Sequence, residues 1–116
     1  MRVVVTGGAG FIGANLCATL AADEGTDVVA FDDLSTGFAS NLVGVRASLV
    51  EGDILDPRAL DLAFAGAHAV VHLAARPSVP RSITDPLASH QANATGTVQV
   101  LEAVRRSEVI SSRVTR

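Results

Sequence analysis

Short apolar runs alternate along this chain with segments of helical periodicity, and glycine, proline or aspartate marks each junction. Val3-Val4-Val5 is a β-branched run with no polar face, the pattern of a buried central strand in a parallel sheet. From Phe11 onward, Ile12, Leu16 and Leu20 recur at helical spacing until Asp23-Glu24-Gly25, which predicts a first helix with those residues as its apolar stripe. Asp27 to Phe31 reads as a second short strand, so the first thirty-odd residues form a βαβ unit with a right-handed crossover and parallel strands. A third strand is expected near Ala47 to Glu51. Asp56-Pro57 then supplies an N-cap and a first-position proline for a short helix over 58–64, which Gly66 ends. Ala69 to Leu73 reads as a fourth strand. Asp85-Pro86 opens the last and longest helix, running to about Arg106, with Leu87, Val98, Leu101 and Val104 available to cover the sheet. Gly96 inside it carries a penalty of about 1 kcal/mol against alanine, which points to close packing at that position.

This alternation, with no internal repeat or flexible linker, predicts a doubly wound α/β architecture with helices on both faces of a parallel sheet in the order 3-2-1-4. That is the first half of a two-halved nucleotide-binding fold, and it leaves one sheet edge unpaired. Residues 1–107 form this half-domain. Residues 108–116 read as a divergent tail, as if the chain were truncated or shifted in reading frame.

Composition narrows the functional classes. With 48% hydrophobic and 18% charged residues among 116, the chain has the make-up of a single globular domain. A net charge of -3 supplies no general attraction for nucleic acid or an anionic membrane, so neither is an expected partner. No apolar stretch is long enough to span a bilayer and no signal-peptide pattern opens the chain, so a cytoplasmic location is expected. The lone Cys17 reads as a core residue. His68, His72 and His90 have no metal-ligand spacing with it or with the carboxylates, so no metal is expected, and His72 reads as packing at a strand end. All nine basic residues are arginines, and tyrosine is absent. A mechanism that needs a phenolate beside an ammonium therefore has no donors within this chain.

The candidate chemistry lies at the first strand-to-helix junction, Thr6-Gly7-Gly8-Ala9-Gly10-Phe11-Ile12-Gly13. A pyrophosphate can sit there on free backbone N–H groups at the positive end of a helix dipole. By position, Gly7 makes the tight turn, Gly10 lets phosphate approach the backbone, and Gly13 lets the helix pack close against the sheet. Asp32, nineteen positions after Gly13 at the end of the second strand, is placed to accept hydrogen bonds from an adenosine ribose. With Asp33 beside it, a 2′-phosphate would be repelled, which favours NAD over NADP. An ordinary strand-to-helix turn followed by a solvated loop aspartate is the plainer alternative.

The motifs TGGAGFIG at 6–13, FDDLSTG at 31–37, GDI at 52–54, HLAA at 72–75, SVPRS at 78–82 and NATGT at 93–97 together resemble the NAD-dependent epimerase/dehydratase family. These are extended short-chain dehydrogenase/reductases, and the likeness is to the amino-terminal part of UDP-sugar 4-epimerases, covering residues 1 to about 107. The resemblance implies that Gly7, Gly10, Phe11, Ile12 and Gly13 cradle NAD, and that Asp32, Asp33, Ser35, Thr36 and Gly37 border its adenosine half. It further implies that Asp53 and Ile54 flank the adenine, that Leu73, Ala74 and Ala75 pass the cofactor along the fourth strand, and that the Asn93 amide supports the cofactor side of the sheet. Ser78 becomes a candidate contact for a nucleotide-sugar substrate, although Pro77 stands where some relatives carry glycine or lysine. In that family a tyrosine takes a proton from a sugar hydroxyl while a hydride passes to the nicotinamide, and a lysine lowers the tyrosine's pKa. Because this chain has neither residue, no catalytic residue is assigned. The resemblance implies the NAD-binding part of a nucleotide-sugar epimerase, with dehydratases and decarboxylases as the neighbouring activities, inactive alone. A homodimer through the helix ending near residue 107 is a further implication. The alternative from another class is a non-catalytic, NAD-responsive binding module that acts through a partner protein.

Overall fold

The apolar runs assemble into one four-stranded parallel sheet in the computed structural model, which describes residues 1–75 and 83–107. Its strands are β1 (Arg2–Thr6), β2 (Asp27–Asp32), β3 (Ala47–Glu51) and β4 (Ala69–His72), in the spatial order β3-β2-β1-β4. The register sets Val4 beside Val29 and Val70, and Thr6 beside Phe31 and His72. The helices are α1 (Phe11–Ala21), a 3-10 turn (Ala39–Leu42), α2 (Pro57–Phe64), α3 (Pro86–His90), a π-helical turn (Gln91–Thr95) and α4 (Gly96–Arg106). The expected order and fold class are therefore observed.

Successive side chains on a strand point to opposite faces, and here both faces are covered. Val3, Val5, Val28 and Ala30 lie on the α1 side against Ala14, Cys17 and Ala21. Val4, Val29, Phe31 and Val70 lie on the other side against Leu60 and Phe64 of α2 and Val100 and Val104 of α4. This double coverage is why the strands carry no polar face.

Two expectations about helix faces are corrected. In α1 the fully buried positions are Gly13, Ala14, Cys17 and Ala21, while Leu16 and Leu20 are only partly buried and Ile12 is 70% exposed. Small residues bring this helix close to the sheet, and the large side chain of Ile12 is left to a neighbouring cleft. In the last helical segment Leu87, Val98 and Leu101 face outward, at 66%, 58% and 48% exposure. Gly96, Val100, Ala103 and Val104 are the buried residues instead. The cause is the π turn, whose extra residue rotates everything after it by about 100° relative to a continuous α-helix. The position of Gly96 is also explained, because a Cβ there would lie 2.4 Å from Cδ1 of Ile54.

The termini follow the sequence signals. The Asp56 and Asp85 side chains accept hydrogen bonds from the Arg58 and Ala88 amides, each followed by a first-position proline. Helix α1 has no basic residue in its own last turn, and Arg46, just before β3, takes that role by donating to the Ala21 carbonyl at 2.6 Å. Arg106 of α4 donates from Nε and Nη2 to Oδ1 of Asp61, joining α4 to α2. Among the described residues, no helix is long and apolar enough to cross a membrane.

The two leucines of α2 give a direct check on this packing. Leu60 is fully buried and Leu62 is 80% exposed, so Leu60→Ala is expected to lose about 2–5 kcal/mol in urea unfolding. Leu62→Ala should stay within about 0.5 kcal/mol. Burial pushes the Cys17 thiol from its usual 9.0 up to about 11. Between those two pH values the unfolded thiol ionises while the native one keeps its proton, so Cys17 should make stability fall as pH rises through that window. In a Cys17→Ala background this component of the alkaline loss should disappear, and a thiol reagent should label the parent chain only after unfolding.

Candidate functional site

The site is built where β1 gives way to α1. Gly7 turns the chain with φ of +70°, a conformation open to glycine, and its amide donates to the Phe31 carbonyl at 2.8 Å. Gly10 stands at the N-cap in an extended conformation with no side-chain cap on the helix. The first amides of α1 therefore lack a side-chain acceptor, and at the positive end of the helix dipole they can receive an anion. A Cβ on Gly13 would fall 2.0 Å from the Gly7 carbonyl oxygen. This refines the expected role of Gly13, since its closest contact is the turn itself rather than the sheet.

Ala9, between the glycines, is held on both sides of its backbone. Its amide donates to Oδ2 of Asp32 at 2.9 Å, and its carbonyl accepts from the Phe38 amide at 3.1 Å and from Nδ2 of Asn41 at 2.8 Å. Oδ1 of Asp32 accepts from the Leu34 amide at 2.8 Å. Asp32 is thus nearly buried and already serves the fold, yet each carboxylate oxygen has a second lone pair for a ligand. Gly37 sits directly behind Ala9, where a Cβ would meet the Ala9 carbonyl carbon at 2.8 Å.

These elements wall a cleft of about 670 Å³ over the carboxyl ends of the strands, where β1 has neighbours leading in opposite directions. Such a topological switch point is where open α/β sheets bind ligands. Gly7, Gly10, Phe11, Ile12 and Gly13 line one side. Asp32, Asp33, Ser35 and Thr36 line the end near β2, with Asp53 and Ile54 beyond β3. Asp33 and Asp53 accept hydrogen bonds from the Ser35 and Leu55 amides, each at 2.9 Å, which tightens both loops. Leu73, Ala74 and Ala75 form the wall beyond β4. Asn93 belongs to the π turn, where its carbonyl accepts the Thr97 hydroxyl at 2.7 Å. Ser78 lies outside the described residues.

Sequence reasoning missed several contributors. Gly52 lines the cleft, and a Cβ there would press to 2.8 Å on the Phe31 ring. Ala88, Gln91 and Ala92 bring the last helical segment into the wall. Asn41 and Thr6 act through backbone groups of other elements, so no local pattern marks them. Among the described residues that line the cleft, the charged side chains are the carboxylates Asp32, Asp33 and Asp53.

Sheet order, glycine turn and switch-point cleft together define a Rossmann-type domain. The chain belongs to the NAD dependent epimerase/dehydratase family, whose model matches residues 3–114. It is 44% identical over 114 residues to a UDP-glucose 4-epimerase of Mycolicibacterium smegmatis, a match that covers 94% of this chain and 36% of that protein. It is 41% identical over 113 residues to a dTDP-glucose 4,6-dehydratase of the same organism, covering 94% of this chain and 34% of the relative. The crystal structure of UDP-glucose 4-epimerase from Thermus thermophilus in complex with NAD superposes with a TM-score of 0.84 at 38% identity, over 94% of this chain and 35% of the other. The chain thus spans about a third of the length of these relatives.

The contact between Gly13 and Gly7 yields a specific expectation. Gly13→Ala must force the turn open against rigid backbone, lowering stability in urea by about 1–3 kcal/mol. Gly25→Ala, whose Cβ would meet only Oδ1 of Asp23 at 3.6 Å, should change it by less than about 0.5 kcal/mol.

Proposed function

We propose that this chain is the cofactor-binding part of an NAD-dependent nucleotide-sugar epimerase, with NAD lying across the cleft between β2 and β4. The observation that carries the reading is the α1 N-terminus, free of any side-chain cap behind a glycine turn, with the Asp32 carboxylate facing the same cleft. The pyrophosphate fits over Gly10, Phe11 and Ile12, where backbone dipoles offset its charge without a cationic side chain. Asp32 fits the ribose hydroxyls through its remaining lone pairs, Ser35 and Thr36 border the same end, and Asp53 and Ile54 border the adenine. The small Ala74 and Ala75 leave room for the nicotinamide half beyond β4. Ser78 is proposed as a contact for the sugar of the substrate.

When bound, NAD supplies a hydride acceptor that can return the hydride to the sugar carbon. The residues present here bind and orient that cofactor. The proton transfer at the sugar hydroxyl needs a general base that these 116 residues do not include, since tyrosine and lysine are absent. By themselves they are therefore expected to bind cofactor without turning over a nucleotide sugar. The choice of epimerase over dehydratase rests on likeness to the 4-epimerases, and the homodimer implied by that likeness would use the outward stripe of α4, where Val98 and Leu101 are exposed.

Calorimetric titration of the folded chain with NAD, NADP and an Asp32→Ala variant tests the proposal. NAD should bind saturably. NADP should bind at least about tenfold more weakly, because its 2′-phosphate would face Asp32 and Asp33. Asp32→Ala, if circular dichroism shows it folded, should weaken NAD by about tenfold or more through loss of charge-assisted hydrogen bonds. A folded parent chain that takes up no NAD, or binds both dinucleotides equally, would reject the reading.

A further inference from the structure

Thr6 and His72 are register partners at the carboxyl ends of β1 and β4, and both are fully buried. The Thr6 hydroxyl oxygen lies 3.0 Å from the Leu73 amide, 3.2 Å from the Ala74 amide and 2.6 Å from Nδ1 of His72. A hydroxyl has two lone pairs and one hydrogen. Both amides can only donate, so they occupy the lone pairs, and the hydroxyl hydrogen must go to Nδ1. That nitrogen therefore carries no proton of its own. On the other side of the ring, Nε2 lies 3.2 Å from the Thr97 hydroxyl, whose own hydrogen goes to the Asn93 carbonyl at 2.7 Å. Thr97 is thus the acceptor and Nε2 carries the ring proton. With the proton on Nδ1 instead, two hydrogens would confront each other between Thr6 and His72, and an imidazolium would meet the same conflict.

From this bookkeeping we propose that His72 is a positioning residue of the cofactor site, held neutral with its proton on Nε2. Through Thr6 it fixes the Leu73 and Ala74 amides in the wall beyond β4, and through Thr97 it fixes the π turn that brings Gln91 and Ala92 into the same cleft. A single ring ties together three elements whose side chains or backbone border the ligand, without itself donating to that ligand. That the ligand is NAD rests on the function proposed above; the proton assignment does not.

The test begins with long-range proton–nitrogen spectra of the full chain carrying ¹⁵N-labelled histidine, at neutral pH. The His72 signals are assigned by their loss in His72→Gln. The expected result is an unprotonated, acceptor-type Nδ1 and a protonated Nε2. A protonated Nδ1, or a ring protonated at both nitrogens, overturns the proposal. Amide exchange then reads the positioning role without any cofactor. His72→Asn, whose side-chain oxygen can stand in for Nδ1 toward Thr6, should keep the Leu73 and Ala74 amides protected to within about threefold. His72→Leu, which fills space but accepts nothing, should speed their exchange by about tenfold or more. Equal protection in the two variants, or the reverse order, overturns the role. NAD affinity should follow the same ranking. If the spectra and exchange agree with the proposal while the parent chain binds no NAD, then the NAD reading fails and the positioning role of His72 stands.

Discussion

The peptide backbone around Ala9 is the constraint on which the cleft depends. Its amide is tied to the carboxylate that ends β2, and its carbonyl is tied to Phe38 and Asn41 in the segment that follows. One residue thereby couples the turn that would meet phosphates to the loop that would meet a ribose. Neither piece could shift without breaking a hydrogen bond buried away from water, and such groups are expensive to leave unpaired. Asp32 consequently has two duties at once. Its inner lone pairs hold the backbone and its outer ones face the cleft, so a change of residue type there would disturb fold and recognition together.

How much of this could be read from the amino-acid order depends on the range over which each signal acts. Strand order and the βαβ wind were legible because Val3–Val5, Val28–Phe31 and Val70–Val71 are apolar on both faces, which only a doubly covered parallel sheet requires. The glycine turn and Asp32 were legible because chain connectivity sets their separation. The helix faces were not. Val98 and Leu101 have the same helical spacing as Val100 and Val104, and hydrophobicity alone cannot choose between them; Gly96 and Ala103 make the choice by allowing close approach. The π turn changes the helical phase with no compositional mark. His72 reads as packing, and it is buried, yet its hydrogen bonds to Thr6 and Thr97 depend on strand register and on a helix that no local pattern could align.

The cleft also separates two electrostatic tasks. Attraction for an anion comes from the backbone dipoles of α1, which carry no net charge and cannot move. Discrimination comes from carboxylates at the opposite end, Asp32 and Asp33. Because the dipoles act only at short range, a ligand bearing one phosphate group too many meets repulsion at one end that the other end cannot offset.

The central position of β1 carries a kinetic consequence. It is the first strand in the chain, and its neighbours arrive in very unequal order: β2 pairs Arg2 with Asp27, whereas β4 pairs Thr6 with His72, 66 residues away. Local pairing can begin as soon as the first crossover helix forms, but the seam that finishes the cleft must wait for a much larger loop to close. During that interval β1 presents an open, wholly apolar edge, so the stretch most deeply enclosed in the native chain is also the one left longest without its second companion as folding proceeds.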